Sequence, residues 1–189
     1  FDGKSLKGWH QDVPSNDGKE TPVPAFIVRD GVLVSLGVPG GHLITDAQYE
    51  NYRLTVEYRW TKTAGNSGIL VHASIPRFLN NMLPRCLEVQ LRAGDAGDFF
   101  LLGETIKRRG ATAPTEGRRV QNTTDNSEKP TGEWNTVVVE CRGAGVKVWV
   151  NGDFVNDGVE CSAVRGQIAL QSEGAEVEFR KIVMEKVGG

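Results

Sequence analysis

Apolar and polar residues alternate with a period of two along many short stretches of this chain, and no stretch carries the 3.6-residue repeat of a long helix. The clearest run is Tyr52-Arg53-Leu54-Thr55-Val56-Glu57-Tyr58-Arg59-Trp60, apolar at even positions and polar at odd ones, which predicts a strand buried through its even side chains. Gly68 to Ser74 follows a tight Gly65-Asn66-Ser67-Gly68 turn, so these two runs are expected to pair as an antiparallel hairpin. In Cys86-Leu87-Glu88-Val89-Gln90-Leu91 the leucines and the valine turn inward, leaving Glu88 and Gln90 side by side on the other face. Trp134 to Cys141, Val146 to Val150, Gly166 to Gln171 and Val177 to Val187 read as further strands. Asn151-Gly152 is a two-residue hairpin signal. Shorter candidates are Phe26 to Val28, Val32 to Ser35 and His42 to Ile44, with Asp30-Gly31 as the turn between the first two. About ten strands with turn signals at short intervals predict an all-β protein built as two packed antiparallel sheets.

The segment from Gly103 to Glu133 breaks this pattern, being polar, rich in Thr, Arg and Gly, and without sustained periodicity. It reads as a long loop. A lid over a site and an excursion with no role both fit it. Its Lys107, Arg108, Arg109, Arg118 and Arg119 could meet an anion, although such clusters are more often solvated. The sequon Asn122-Thr123-Thr124 matters only in a source that glycosylates secreted proteins.

The chain is 189 residues long, which fits one domain over residues 1–189 with a substantial core. Its formal net charge is −2, with both signs scattered, so there is no electrostatic footprint for nucleic acid or an anionic membrane. No apolar run is long enough for a membrane span. Nothing at the N-terminus reads as a secretory signal, but a start at Phe1-Asp2-Gly3 is what a processed or trimmed chain shows, so the missing signal does not place the protein in the cytoplasm. Cys86, Cys141 and Cys161 are too few for a zinc ribbon or a disulfide scaffold; a Cys141–Cys161 bridge and three buried free thiols both remain open.

Absences prune the chemistry further. There is no phosphate-binding glycine loop, no Gly-x-Ser-x-Gly elbow and no His-Glu-x-x-His pair, and His10, His42 and His72 are dispersed. What remains is a set of polar side chains on strand faces: Glu57, His72, Glu88, Gln90 and Gln171, expected to come within reach of one another on neighbouring strands of one sheet. A solvated sheet face explains any one of them. Together, with Trp60 or Trp9 as a ring for a pyranose to stack on, they suit a carbohydrate, whose hydroxyls need paired hydrogen-bonding groups. A tryptophan in a strand pattern is nevertheless more often core.

The order and spacing of several motifs resemble the 3-keto-disaccharide hydrolase family over almost the whole chain. These are Phe1-Asp2-Gly3-Lys4-Ser5-Leu6-Lys7-Gly8-Trp9, Asn66-Ser67-Gly68-Ile69, Leu87-Glu88-Val89-Gln90-Leu91, Gly132-Glu133-Trp134-Asn135, Val150-Asn151-Gly152, Gly166-Gln167-Ile168-Ala169-Leu170-Gln171 and Phe179-Arg180-Lys181-Ile182. The resemblance implies a concanavalin A-like jelly-roll sandwich, a secreted or periplasmic bacterial protein, and hydrolytic or eliminative cleavage of 3-keto-glycosides. It also implies roles for Glu88 and Gln90, which match the family's Glu-x-Gln strand, and for Gln171, at its Leu-Gln strand end. The chain departs from the family at His72, where many members carry Arg, and at Phe-Arg-Lys-Ile in place of Phe-Arg-Asn-Ile.

An ordinary glycosidase needs two carboxyl groups, about 5–5.5 Å apart for retention or about 6.5–9.5 Å for inversion. Only one strand-borne Glu matches the family pattern, with Glu57 as the remaining candidate partner. A 3-keto sugar lowers the requirement, because the ketone acidifies the C2 proton and one base with an enolate stabiliser suffices. The expectation is therefore Glu88 as general base and His72 as enolate stabiliser or proton donor, with Gln90, Gln171, Glu57 and Trp60 contacting the sugar. No cofactor is required, but a divalent metal on Glu88 and His72 would serve as well. A non-catalytic carbohydrate-binding domain and a plain interaction domain are the competing readings. Oligomeric state is not legible.

Overall fold

A computed structural model of the chain describes residues 1–113, 115–124 and 127–188. Among these, fifteen strands form two antiparallel sheets packed face to face, with one short 3-10 turn at Pro14–Asn16. Sheet A contains β1 (Trp9–Asp12), β4 (Gly41–Thr45), β14 (Gln167–Ser172), β6 (Gly68–Ala73), β7 (Cys86–Gln90), β8 (Phe99–Leu102) and β10 (Arg119–Val120), in that spatial order. Sheet B contains β2 (Phe26–Arg29), β3 (Val32–Ser35), β15 (Val177–Lys186), β5 (Tyr52–Trp60), β11 (Asn135–Arg142), β12 (Gly145–Val150), β13 (Asp153–Val159) and β9 (Lys107–Arg108). The core between them holds Tyr52, Tyr58, Phe26, Phe99 and Phe179 as its largest fully buried side chains. Such burial contributes about 1.5–3 kcal/mol per large apolar side chain.

Alternation accounts for most of this. Strand β5 buries every even residue and leaves the odd ones half-buried, as its sequence requires. The Asp30-Gly31 and Asn151-Gly152 turns both take positive φ (53° and 79°, 51° and 96°), the geometry whose twist matches a tight hairpin. Two expectations need correction. The runs Tyr52–Trp60 and Gly68–Ala73 do not pair with each other: β5 lies between β15 and β11 in sheet B, and β6 between β14 and β7 in sheet A. The Asn66-Ser67 segment between them thus carries the chain from one sheet to the other. The cysteines are free and buried.

The segment 103–133 is also more ordered than its composition predicts, although its Pro114, Asp125 and Asn126 lie outside the described residues. It carries β9 onto the edge of sheet B, beside β13, and β10 onto the edge of sheet A, beside β8. Ile106 and Val120 drop into the core. Three of its five candidate cations are paired within the fold: Lys107 with Glu160 at 2.7 Å, Arg109 with Asp157 at 2.6 Å, and Arg119 with Asp95 and Asp98 at 2.7 and 2.6 Å. These described parts close one open side of the sandwich. A different segment, 74–85, folds over the outer face of sheet A, where Leu79, Met82 and Leu83 form a second apolar cluster with Ile44, Leu70, Cys86, Phe100, Leu102 and Ala169.

Candidate active site

Because Leu43, Leu170, Ile69, Leu87, Val89 and Phe99 point into the core, their neighbours along each strand of sheet A must point outward. Cross-strand register sorts those neighbours into two rows. One, from β4 across to β8, is apolar apart from a single acid: Ile44 opposite Ala169, Ala169 opposite Leu70, Leu70 opposite Glu88 and Glu88 opposite Phe100. The other is polar: Asp12 opposite His42, His42 opposite Gln171 and Gly68 opposite Gln90. Continuing the β14–β6 register by one residue sets Gln171 beside Gly68, and the Ser67 hydroxyl donates to the Gln171 carbonyl at 2.8 Å. The 74–85 segment covers the apolar row and leaves the polar row along its margin with little solvent. His42 is 1% exposed, Gln171 2%, and Glu88 and Gln90 4% each.

Buried polar atoms normally find partners, so the exceptions are informative. Gln90 is satisfied on one side: its Oε1 accepts the backbone N–H groups of Leu91 and Arg92 at 2.9 and 2.8 Å, which fixes the amide flip and offers its NH2 group outward. Its neighbours are not satisfied. His42 Nδ1, Asn66 Oδ1, Glu88 Oε1 and Gln171 Oε1 are all buried without a hydrogen-bond partner. Each such group costs about 1–3 kcal/mol of desolvation. Four of them on one sheet face make a set of polar atoms that a ligand's own groups would satisfy.

Electrostatics single out Glu88. Burial, reinforced by the negative charge of Glu173, raises its pKa to about 8. Glu173 follows Gln171 by two residues and borders an open groove of about 580 Å³ shared with Asn66 and Arg92. At the other end of the row, burial pushes the His42 imidazole below its usual range while Asp12 pulls the opposite way. His42 Nε2 stands 3.9 Å from Asp12 Oδ2, and Arg77 holds Asp12 Oδ1 through Nε and Nη2 at 2.9 and 2.7 Å while also pairing with Asp17.

The structure thus unites three of the residues chosen from sequence, Glu88, Gln90 and Gln171, and takes three others elsewhere. His72 is turned away by a β-bulge: Leu70 and Ala73 of β6 span the same length as Ala169 and Gln167 of β14, leaving one extra residue in β6, and His72 takes φ 56°. Its ring then faces Tyr52 in the core, 5.8 Å between centroids, and its Nδ1 meets the Ala163 carbonyl at 3.0 Å. A metal held jointly by Glu88 and His72 is therefore not supported by this arrangement. Among the described residues, no group of three or more His, Cys, Asp or Glu side chains gathers as a metal site. Glu57 lies on the outer face of sheet B, paired with Arg180 at 2.5 Å and Lys181 at 3.8 Å, so it is not a second carboxylate for Glu88. Trp60 is 3% exposed and packs edge-on against Tyr58, too buried to stack on a sugar. Sequence missed two members, Asn66 in the turn before β6 and His42. The only signal for His42 was its place between Gly41 and Leu43 in a short apolar strand, where alternation sends a polar residue outward.

Over residues 1–185 the chain matches the family described as 3-keto-alpha-glucoside-1,2-lyase-like domain. No curated protein matches it. Among solved structures it is similar to a proposed glycosyl hydrolase from Parabacteroides distasonis, with 21% identity, a TM-score of 0.70 and coverage of 98% of this chain and 91% of that one. It is similar as well to the carbohydrate-binding module CBM66 from Bacillus subtilis, with 12% identity, a TM-score of 0.64 and coverage of 95% and 96%. The β-glucanase of Bacillus licheniformis follows with 12% identity, a TM-score of 0.59 and coverage of 95% and 92%. At these identities the likeness establishes the jelly-roll sandwich itself. Among the described residues, no helix is long and apolar enough to cross a membrane.

Proposed function

Because the chain belongs to the 3-keto-alpha-glucoside-1,2-lyase-like family, we propose that it is a carbohydrate-active enzyme that cleaves 3-keto-glycosides by removing the proton beside the ketone. The observation that carries this reading is Glu88: a buried carboxyl whose pKa is raised to about 8, with an unpartnered oxygen, beside the row that runs from Gln90 through Gln171 to His42. A base must approach the strength its carbon acid demands, and burial strengthens this one. About a tenth of such a group is ionised at pH 7, and that fraction is a far better base than an ordinary carboxylate.

The Glu88 carboxylate takes the C2 proton, the electron pair forms the enolate of the 3-ketone, and the enolate expels the C1 substituent with its bonding electrons. The protonated Glu88 returns its proton to the departing oxygen, so that an unsaturated keto sugar and the freed alcohol result, and water adding its hydroxyl at C1 and its proton at C2 completes a net hydrolysis. His42, neutral because its pKa is lowered by burial, takes the part the sequence had given to His72 and donates to the enolate oxygen. Gln171 Oε1 and Asn66 Oδ1 accept sugar hydroxyls and the NH2 group of Gln90 donates to one, as the unpartnered acceptors require.

Incubation with a panel of native and 3-oxidised glucosides, with and without chelator, tests the proposal through released aglycone. Release from the 3-oxidised compounds alone, in the presence of chelator as in its absence, is expected. Release from native glucosides at equal rate would overturn the 3-keto reading. Binding of sugars with no release from any of them would make this a carbohydrate-binding domain. A secreted or periplasmic location is proposed with the function and is tested by fractionating the native host.

A further inference from the structure

Gly68 is the first residue of strand β6, already in ladder pairing with Gln90, and it does not need the left-handed backbone that usually explains a glycine. A glycine there sacrifices side-chain packing, and such positions mark the close approach of another group. The group is Glu88. A Cβ built on Gly68 would lie 2.3 Å from Glu88 Oε1, 2.8 Å from its Cγ and 2.9 Å from its Cδ, and these three are the nearest atoms of all. The Glu88 side chain therefore does not stand straight above its own cross-strand partner, Leu70; it leans diagonally across the sheet into the gap that Gly68 leaves in the polar row.

We infer that Gly68 is a positioning residue: the missing side chain is the seat that brings the Glu88 carboxyl out of the apolar row and between Gln171 and Gln90. The two rows make the reason plain. From its own backbone position Glu88 is flanked by Leu70 and Phe100, under the apolar cover of the 74–85 segment. Only by crossing to Gly68 does the carboxyl reach the row that holds the unpartnered amide and imidazole atoms. The preceding residue helps fix the seat, since Ser67 Oγ donates to the Gln171 carbonyl at 2.8 Å and the Ser67 carbonyl accepts from Leu91 N at 2.9 Å, tying β6 to β14 and to the end of β7. The Asn66-Ser67-Gly68 stretch thus acts as one device. Asn66 offers an acceptor, Ser67 pins the neighbouring strands, and Gly68 admits the acid.

The inference about the seat is independent of which reaction Glu88 performs, and a double-substitution cycle on melting temperature tests it without any substrate. Gly68→Ala is expected to lower the melting temperature of the natural chain by several degrees and to leave that of a Glu88→Ala chain nearly unchanged or raised, because alanine suits a strand once the carboxyl is gone. Equal losses in both backgrounds, or failure to fold in both, would overturn it. If the chain proves active on 3-keto-glucosides, a folded Gly68→Ala variant should lose about 100-fold in kcat with KM changed only a few-fold, the signature of a displaced reacting group. A folded variant with full kcat would overturn the positioning role. Thermal coupling in a chain that cleaves no 3-keto sugar would leave the seat standing and remove only the reading of the reaction.

Discussion

The outer faces of the two sheets are made of similar residues and behave in opposite ways. On sheet B the charges satisfy one another. Arg59 and Arg180 both lie over the Trp134 ring, at 4.6 and 4.4 Å, Arg59 bonds Glu178 at 2.7 Å, Arg180 bonds Glu57, and Arg53 bonds Glu140 at 3.0 Å beside Trp149. On sheet A, Glu88, Gln171 and His42 are more deeply buried and keep unpartnered atoms. A face whose polar groups are already paired has nothing left to offer a ligand. A face that keeps unpaired buried groups is where a ligand has most to gain, because pairing them removes that cost. Burial without partners, rather than the mere presence of Glu and Gln, separates the two.

Breaking the sheet A side of this contrast should have the largest effect. Glu88→Gln removes the base while keeping shape, and turnover of a 3-keto-glucoside should fall by about 10³-fold in a folded protein. The two buried histidines sharpen the contrast within one molecule. His42→Ala should cost about 100-fold in kcat, and a folded His72→Asn variant should keep kcat within a few-fold, since one ring faces the site and the other faces Tyr52. Equal losses from both would mean that the bulge at His72 has been misread.

A smaller effect appears in stability. At pH below about 4.5 the Glu88 proton is held in folded and unfolded chains alike. As pH rises the unfolded chain gives it up first, and the folded chain holds it until about 8. Glu88 therefore destabilises the fold progressively between about pH 4.5 and 8, by an amount on the order of a few kcal/mol. Thermal melts of Glu88→Gln and the natural chain should agree near pH 4 and diverge by pH 9, with the variant the more stable by about 2–4 °C per kcal/mol. The smallest effect belongs to sheet B. Glu57→Gln breaks a partly exposed pair and should cost less than about 1 kcal/mol, with activity unchanged.

Much of this was legible in the sequence, because period-two alternation and turn chemistry are local properties. They placed Glu88 and Gln90 on one face and gave the Asp30-Gly31 and Asn151-Gly152 hairpins correctly. Alternation does not say which sheet a strand joins, so Glu57 was grouped with Glu88 although β5 and β7 lie in different layers. Nor does it survive a bulge: one extra residue in β6 sent His72 to the opposite side from where its parity placed it. The two-residue strands β9 and β10 are too short to show any period, which is why 103–133 read as a loop. The cover from 74–85, which makes Glu88 a buried acid instead of a solvated one, follows from long-range packing that no local pattern encodes.

Whether the buried Glu88 carboxyl works as a base is decided by the pH dependence of kcat/KM on a 3-keto-glucoside. The rate should climb with pH and level off above about 8, with that limb absent from the residual activity of Glu88→Gln. A rate that falls through pH 8, or one indifferent to pH across that range, would contradict that role.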